Sequence, residues 1–288
     1  MIKQLVGIGI SSLTVLTVFN FPKAAQAAAL ACPPGVNWVS NCTSGSFQFE
    51  SNILLNLDIK PEFLPPGLPT TVFPTHIKGP RSIAIGTPVD AIQNDPVLGN
   101  VGTVDGKLDV VRTETYVSVA KGQPVFLMGK TVTVVTGDGV PDLTPTPAGS
   151  TPPYVSLSAS EYIKQRTDDP TLADQVFELF IEAQGTNEGV LRNKTPLILR
   201  SSTPLTQFPF INSIDFISTD ITTLYSAGPD GQFWTGDEIA VANLTPNAQG
   251  ASAVLNLRAV PEPSNVVSVV GFGLALGFLA KSKMMKKG

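Results

Sequence analysis

Residues 52–59 read Asn-Ile-Leu-Leu-Asn-Leu-Asp-Ile, and their order decides the fold class. Ile53, Leu55, Leu57 and Ile59 alternate with Asn52, Asn56 and Asp58, broken only by Leu54. A period of two places one set of side chains on one face of a strand, so the apolar set is predicted to face a core. The same period recurs in 112–119, where Thr113, Thr115, Val117 and Val119 alternate with Arg112, Glu114, Tyr116 and Ser118. Phe126, Met128, Val132 and Val134 continue it, as do Leu255 and Leu257 against Asn256 and Arg258. Pro and Gly, 25 of each, fall mainly between such runs without a fixed period. Many strands joined by turns follow, and the expected architecture is mainly β, an antiparallel β-sandwich of roughly eight to twelve strands.

Two stretches read as loops within one domain: the Pro-rich 61–74, and 137–153 with its Thr, Gly, Ser and five prolines. Residues 172–184 carry two patterns. Asp169-Pro170 followed by Leu172, Val176, Leu179, Phe180 and Ala183 has helix start and period signals, with Gly185 as a stop. Phe177, Leu179, Ile181 and Ala183 also alternate with Glu178, Glu182 and Gln184. The strand is preferred, with a turn over 185–189 leading into a strand over 190–199. A turn or short helix is expected between Ser160 and Thr167.

The ends differ from this body. Lys3 and the apolar run from Leu5 to Phe21 precede Ala25-Gln26-Ala27, the small-x-small pattern that signal peptidase accepts, so residues 1–27 read as a signal peptide. The mature domain is then 28–259. Ala29-Leu30-Ala31-Cys32 is a poor lipobox, because Pro22, Lys23 and Gln26 separate it from the apolar run. Cys32 and Cys42 are the only cysteines, and in an exported chain a lone pair ten positions apart reads as a disulfide that stabilises a local N-terminal loop.

At the other end, Val260-Pro261-Glu262-Pro263-Ser264 precedes an uncharged, mostly apolar segment at 266–280, closed by Lys281, Lys283, Lys286 and Lys287. As a helix those residues span roughly 22 Å, short of a ~30 Å hydrocarbon core, and lysine stems can snorkel to make up part of the gap. By the positive-inside rule the lysines stay cytoplasmic and the body lies outside. Setting the six terminal lysines aside from 19 Lys and Arg leaves 13 against 23 Asp and Glu. A body near −10 argues against a nucleic-acid partner.

Residues 260–288 resemble the PEP-CTERM sorting signal of Gram-negative bacteria, which joins a Pro-Glu-Pro motif, one membrane span and a basic end. The resemblance implies that Pro261, Glu262 and Pro263 are recognised by an exosortase, a transpeptidase-like membrane enzyme with a cysteine nucleophile. It also implies a protein held transiently in the membrane by its C-terminus and then placed at the cell surface or outside, where relatives with such tails accompany exopolysaccharide and matrix. This tail uses Lys where Arg is common, its span is short, and it specifies no activity for the body.

The body offers little catalytic chemistry. His76 is the only histidine and sits among prolines as a surface loop residue, and no nucleophile elbow, phosphate loop or dinucleotide fingerprint occurs. A carboxylate-dependent glycoside hydrolase remains as an alternative, yet Glu178 and Glu182 read as solvent-facing charges on one face. Asp138 and Asp142, and Asp230 and Asp237, lie in acidic Gly-containing loops that invite Ca2+, but neither loop has the one-three-five acid spacing of a calcium loop. Trp234 is a candidate platform for a sugar ring. The reading that best fits is a non-catalytic structural or adhesive surface protein without a cofactor.

Overall fold

The computed structural model describes residues 30–68, 70–95, 99–124, 127, 129–137, 139–141, 143 and 161–261. Fifteen strands follow one another among these residues: β1 Gly45–Ile59, β2 Val72–Val89, β3 Ala91–Asp95, β4 Gly99–Gly102, β5 Val110–Gly122, β6 Val132–Thr136, β7 Glu161–Gln165, β8 Ala173–Leu179, β9 Glu182–Thr186, β10 Gly189–Asn193, β11 Leu197–Ser201, β12 Ile214–Ser218, β13 Thr222–Ser226, β14 Ile239–Leu244 and β15 Ala253–Ala259. Two short 3-10 turns, Trp38–Asn41 and Pro61–Phe63, are the helical elements among the described residues.

Mainly-β and antiparallel hold, and the sandwich does not. Thirteen strands form one sheet in the order β14-β13-β10-β9-β6-β5-β2-β1-β15-β12-β11-β8-β7, and the extra pairings β14–β1 and β5–β7 close it twice. The first ring holds β1, β2, β5, β6, β9, β10, β13 and β14; the second holds β1, β2, β5, β7, β8, β11, β12 and β15. An all-antiparallel ring closes only with an even number of strands, and each has eight. Both rings share β1, β2 and β5, whose 15, 18 and 13 residues far exceed the usual strand of about 5–6. β1 pairs with β15 over Phe49–Leu55 and with β14 over Leu57–Ile59, so each half of the strand serves a different ring. Likewise β5 pairs with β7 from Val110 to Thr113 and with β6 from Ser118 to Gly122. β6 and β7 lie on either side of 137–153 in sequence, so that stretch joins two strands of one sheet.

β2 and β5 approach each other closely near the end of β5. A Cβ on Gly79 would collide with the Val119 carbonyl oxygen, and one on Gly122 with the His76 carbonyl oxygen. Side chains on these two residues would force β2 and β5 apart.

Ile53, Leu55, Leu57 and Ile59 face inward as their period requires, and so do Val132, Val134, Leu255 and Leu257. The run at 112–119 changes phase. Ser82 pairs with Val117 but Ile83 with Thr115, leaving Tyr116 as an extra residue; Thr113 and Thr115 are buried before it and Ser118 and Ala120 after it, while Val117 and Val119 turn outward. A bulge shifts every later side chain to the other face. Residues 172–184 are strand, in β8 and β9, and the expected strand over 190–199 is two, interrupted after Asn193. Asn193 explains the break: its Oδ1 accepts from Ile181 N at 2.7 Å, and its Nδ2 donates to Leu179 O at 3.0 Å and Thr195 O at 2.8 Å. The expected turn or helix near 160–167 is strand β7.

The loop expected over 61–74 is shorter than it reads, because β2 starts at Val72 and holds Pro74 and Pro80. Pro74 lies before Lys78, where pairing with β5 begins, so it needs no ladder donor on that side. Among the described residues no helix is long and apolar enough to cross a membrane. Residues 1–27 and 266–280, with Glu262, Pro263, Lys281, Lys283, Lys286 and Lys287, lie outside the described residues.

Candidate functional site

The interiors of the two rings differ in chemistry. Along β2 the inward positions run Phe73, Thr75, Ile77, Gly79, Arg81, Ile83 and Ile85, so a threonine enters the first ring and an arginine the second. Arg81 is 1% exposed, donates from Nη1 to Thr115 Oγ1 at 3.1 Å, and stacks its guanidinium 5.8 Å from the Phe177 ring centre. Glu161 on β7, also 1% exposed, enters the same interior, next to Thr113 in register. Burial pushes the Glu161 carboxyl up to about 8, against the attraction of Arg81 and hydrogen bonding to Thr115. Burial also pushes Arg81 down to about 10, against the attraction of Glu161. In both groups the loss of water outweighs the pairing. Burial therefore favours the protonated form of the acid. Among the described residues, Arg81 Nε, Thr113 Oγ1, Glu161 Oε2 and both amide atoms of Gln175 are buried without a hydrogen-bond partner.

Aromatic packing and the N-terminal loop close the second ring. Phe49, Phe208, Phe210, Phe216 and Phe177 stack in a chain with ring centres 4.6–6.2 Å apart. The Cys32–Cys42 disulfide is formed, and Cys32 exchanges backbone hydrogen bonds with Phe208 at 2.9 and 3.1 Å. Trp38, inside the cross-linked loop, is fully buried and donates from Nε1 to Thr171 O at 3.2 Å, while Val39 N donates to Gln165 Oε1 at 3.1 Å. The loop expected to act locally is therefore part of the main core. The reason is Trp38, which inserts there a side chain too large to leave in water.

The first ring holds a cavity of about 50 Å³ lined mainly by aliphatic side chains, among them Leu57, Val134, Ala183, Leu224 and Ala242. Thr75 lines it as well; it is 2% exposed, and its hydroxyl has no hydrogen-bond partner among the described residues. Phe63, Pro124, Leu127, Asn187 and Glu188 also border the cavity, and Lys130 Nζ donates to Asn187 Oδ1 at 2.6 Å. A second void of about 20 Å³ shares Leu55, Val134 and Ile181 with it and touches Arg81.

The residues singled out from sequence do not converge. Glu178 is fully buried, and Glu182 forms an ion pair with Arg192 at 2.5 Å, which overturns their reading as solvent-facing charges on one face. Glu178 lies in β8, which ends at Leu179, and Glu182 opens β9, so no single strand carries both. His76 is exposed but lies in β2 opposite Leu54, not in a loop. Asp230 Oδ1 accepts from Gln232 N at 2.8 Å and Asp237 Oδ1 from Thr235 Oγ1 at 2.8 Å, both ordinary turn bonds. Asp138 and Asp142 lie outside the described residues. Among the described residues no group of three or more His, Cys, Asp or Glu side chains is placed to hold a metal ion. Trp234 is half-buried against Tyr225 at 5.9 Å and Phe233 at 5.6 Å, with the Lys194 ammonium 5.7 Å from its ring centre. Arg81, Glu161 and Thr75 were not singled out. A readable signal existed for Arg81, which falls in phase with Ile77, Ile83 and Ile85 on a strand whose inward face is otherwise apolar.

These features define a class by fold: among the described residues the chain is mainly β, and its antiparallel sheet closes into two rings through three shared strands. No family model matches the chain, and no curated protein matches it. It is similar to the solved structure of DynF from the dynemicin biosynthesis pathway of Micromonospora chersina, with 14% identity, a TM-score of 0.51 and coverage of 82% of this chain and 90% of that one. A likeness at that identity is one of fold alone.

Proposed function

We propose that this chain is an exported surface or extracellular-matrix protein, non-catalytic in its body, carried out by its signal peptide and sorted through Pro261, Glu262 and Pro263 by an exosortase-like enzyme. The observation that carries the reading is the buried Cys32–Cys42 disulfide, which begins five residues after the expected signal peptidase site. Such bonds persist in oxidising compartments outside the cytoplasm. The placement of the sorting motif is also in keeping: β15 ends at Ala259, and Val260 N makes the last described ladder bond, to Gln48 O at 2.9 Å. Pro261 cannot donate to the sheet, so the motif begins just after the last described strand. Extracellular polysaccharide is the partner class in this reading.

The test is intact-mass analysis of the protein recovered from its host, with Pro261, Glu262 and Pro263 replaced together by alanine in a second strain. The native protein is expected to lack 1–27 and the tail beyond the motif, and the triple variant to accumulate unprocessed in the membrane fraction. A variant that reaches the exterior with the native mass and yield overturns the sorting reading.

A further inference from the structure

We propose that the first ring is a binding site for a small neutral organic molecule, apolar along its body and carrying one hydrogen-bonding group that meets the Thr75 hydroxyl. The proposal concerns the described body alone and stands whether or not the sorting reading holds.

The cavity is larger than packing defects usually are. About 50 Å³ exceeds the roughly 10–15 Å³ that a single water needs. Yet water is a poor occupant, because an ordered buried water takes roughly 2–4 polar partners and Thr75 is the buried wall residue with a free hydroxyl. Apolar cavities of this kind stay dry and accept apolar guests. A guest that is only apolar would leave the hydroxyl as unsatisfied as before. One with a carbonyl or hydroxyl would satisfy it, since a threonine hydroxyl both donates and accepts.

Charge narrows the class further. Among the described lining residues there is no Lys, Arg or His, and the one ionisable side chain, Glu188, is exposed. An anion would meet a like charge at Glu188 and then give up its hydration with no cation to receive it, while a cation would leave its only counter-charge in solvent. A neutral ligand escapes both costs. Pro124 and Leu127 bring apolar surface beside the polar turn at Asn187 and Glu188, the mixed border expected where an amphiphilic molecule enters.

The test uses the full chain in lipid nanodiscs, titrated with 1-hexanol, 2-hexanone and hexanoate, with empty discs and discs bearing each variant as references. Partition into lipid is common to all discs, so differences between variants isolate the cavity. Saturable binding of hexanol and hexanone above empty discs is expected, with hexanoate at least tenfold weaker. Ala183→Leu fills the cavity from β9 and is expected to abolish binding. Thr75→Val keeps the shape and removes the hydroxyl, and is expected to weaken both neutral probes about fivefold, the worth of one hydrogen bond. Because that hydroxyl has no partner among the described residues, Thr75→Val is also expected to be at least as resistant to urea as the parent. If Ala183→Leu fails to fold, Thr75→Val decides. No saturable binding, equal affinity for hexanoate, or unchanged affinity in Thr75→Val each overturns the proposal.

Discussion

Replacing Glu161 by Gln tests the electrostatics of the second ring, because the amide copies the shape of the protonated acid and cannot ionise. The carboxyl is pushed from 4.5 to about 8, and the first cause is burial. A folded-state value above the unfolded one means that the native state holds the proton more tightly. The associated stability is complete below pH 4.5 and is lost as the pH rises through about 8. At about 1.4 kcal/mol per unit, a shift of this size corresponds to a loss of about 5 kcal/mol across that window, an upper bound because water entry relieves part of it. Arg81 works in the opposite sense: its value is lowered to about 10, so its effect on stability falls at alkaline pH, beyond the window. Asp168, held down to about 2 by its hydrogen bond from Arg166, titrates below it. The assay is urea unfolding of parent and Glu161→Gln from pH 5 to 9. The two are expected to coincide near pH 5, and the variant is expected to be more stable by several kcal/mol near pH 9. Parallel profiles, or a variant weaker by the same amount at every pH, would refute a protonated buried acid.

Three further outcomes follow from packing. Trp38→Ala removes the fully buried indole between the cross-linked loop and the β7–β8 connection, and is expected to cost about 3–5 kcal/mol in chemical denaturation, against a negligible loss if the loop were merely local. Reduction of Cys32–Cys42, or its replacement by a pair of serines, is expected to lower stability by about 3 kcal/mol, read as a shift in the urea midpoint of oxidised against reduced protein. Gly79→Ala drives a methyl into the Val119 carbonyl and is expected to cost at least about 1–3 kcal/mol, with amide exchange accelerated in β2 and β5 before other strands.

What could be read from the chain beforehand was local. Leu55 and Leu57 declare their inward face because alternation is a property of one strand, and the same holds for Leu255 and Leu257. The bulge at Tyr116 could not be read, since Tyr, Val and Ser on either side suit both faces equally and only the partner strand fixes which residue is extra. Pro74 misled for a related reason: proline argues against a strand unless its missing donor faces nowhere useful, and that depends on where β5 begins to pair. Ring closure was equally hidden. Nothing in Leu57, Asp58 or Ile59 states that their partners lie near 242–244 while Phe49 to Leu55 pair with 253–259. The interior chemistry was half-readable, with Arg81 in phase with its apolar neighbours, whereas Glu161 sits in a segment whose strand character the sequence concealed.

Closure through shared strands also answers a problem that the sandwich reading would have left open. Two separate sheets built from these strands would present four edges, each a row of unpaired backbone groups ready to pair with another chain. Here β14 and β7, which end the strand order, are each held on both sides, β14 by β13 and β1, and β7 by β8 and β5. The β3–β4 hairpin stands outside the large sheet, is only five and four residues long, and is tied to β5 through Arg112 and Asp95, 3.3 Å apart. Closure requires β1, β2 and β5 each to serve two rings, and its cost is visible where β2 and β5 shift register and meet closely at Gly79 and Gly122. That division lets one half of β2 carry Thr75 into an apolar cavity while the other carries Arg81 into a polar, aromatic-capped core, so two unlike interiors depend on one continuous strand.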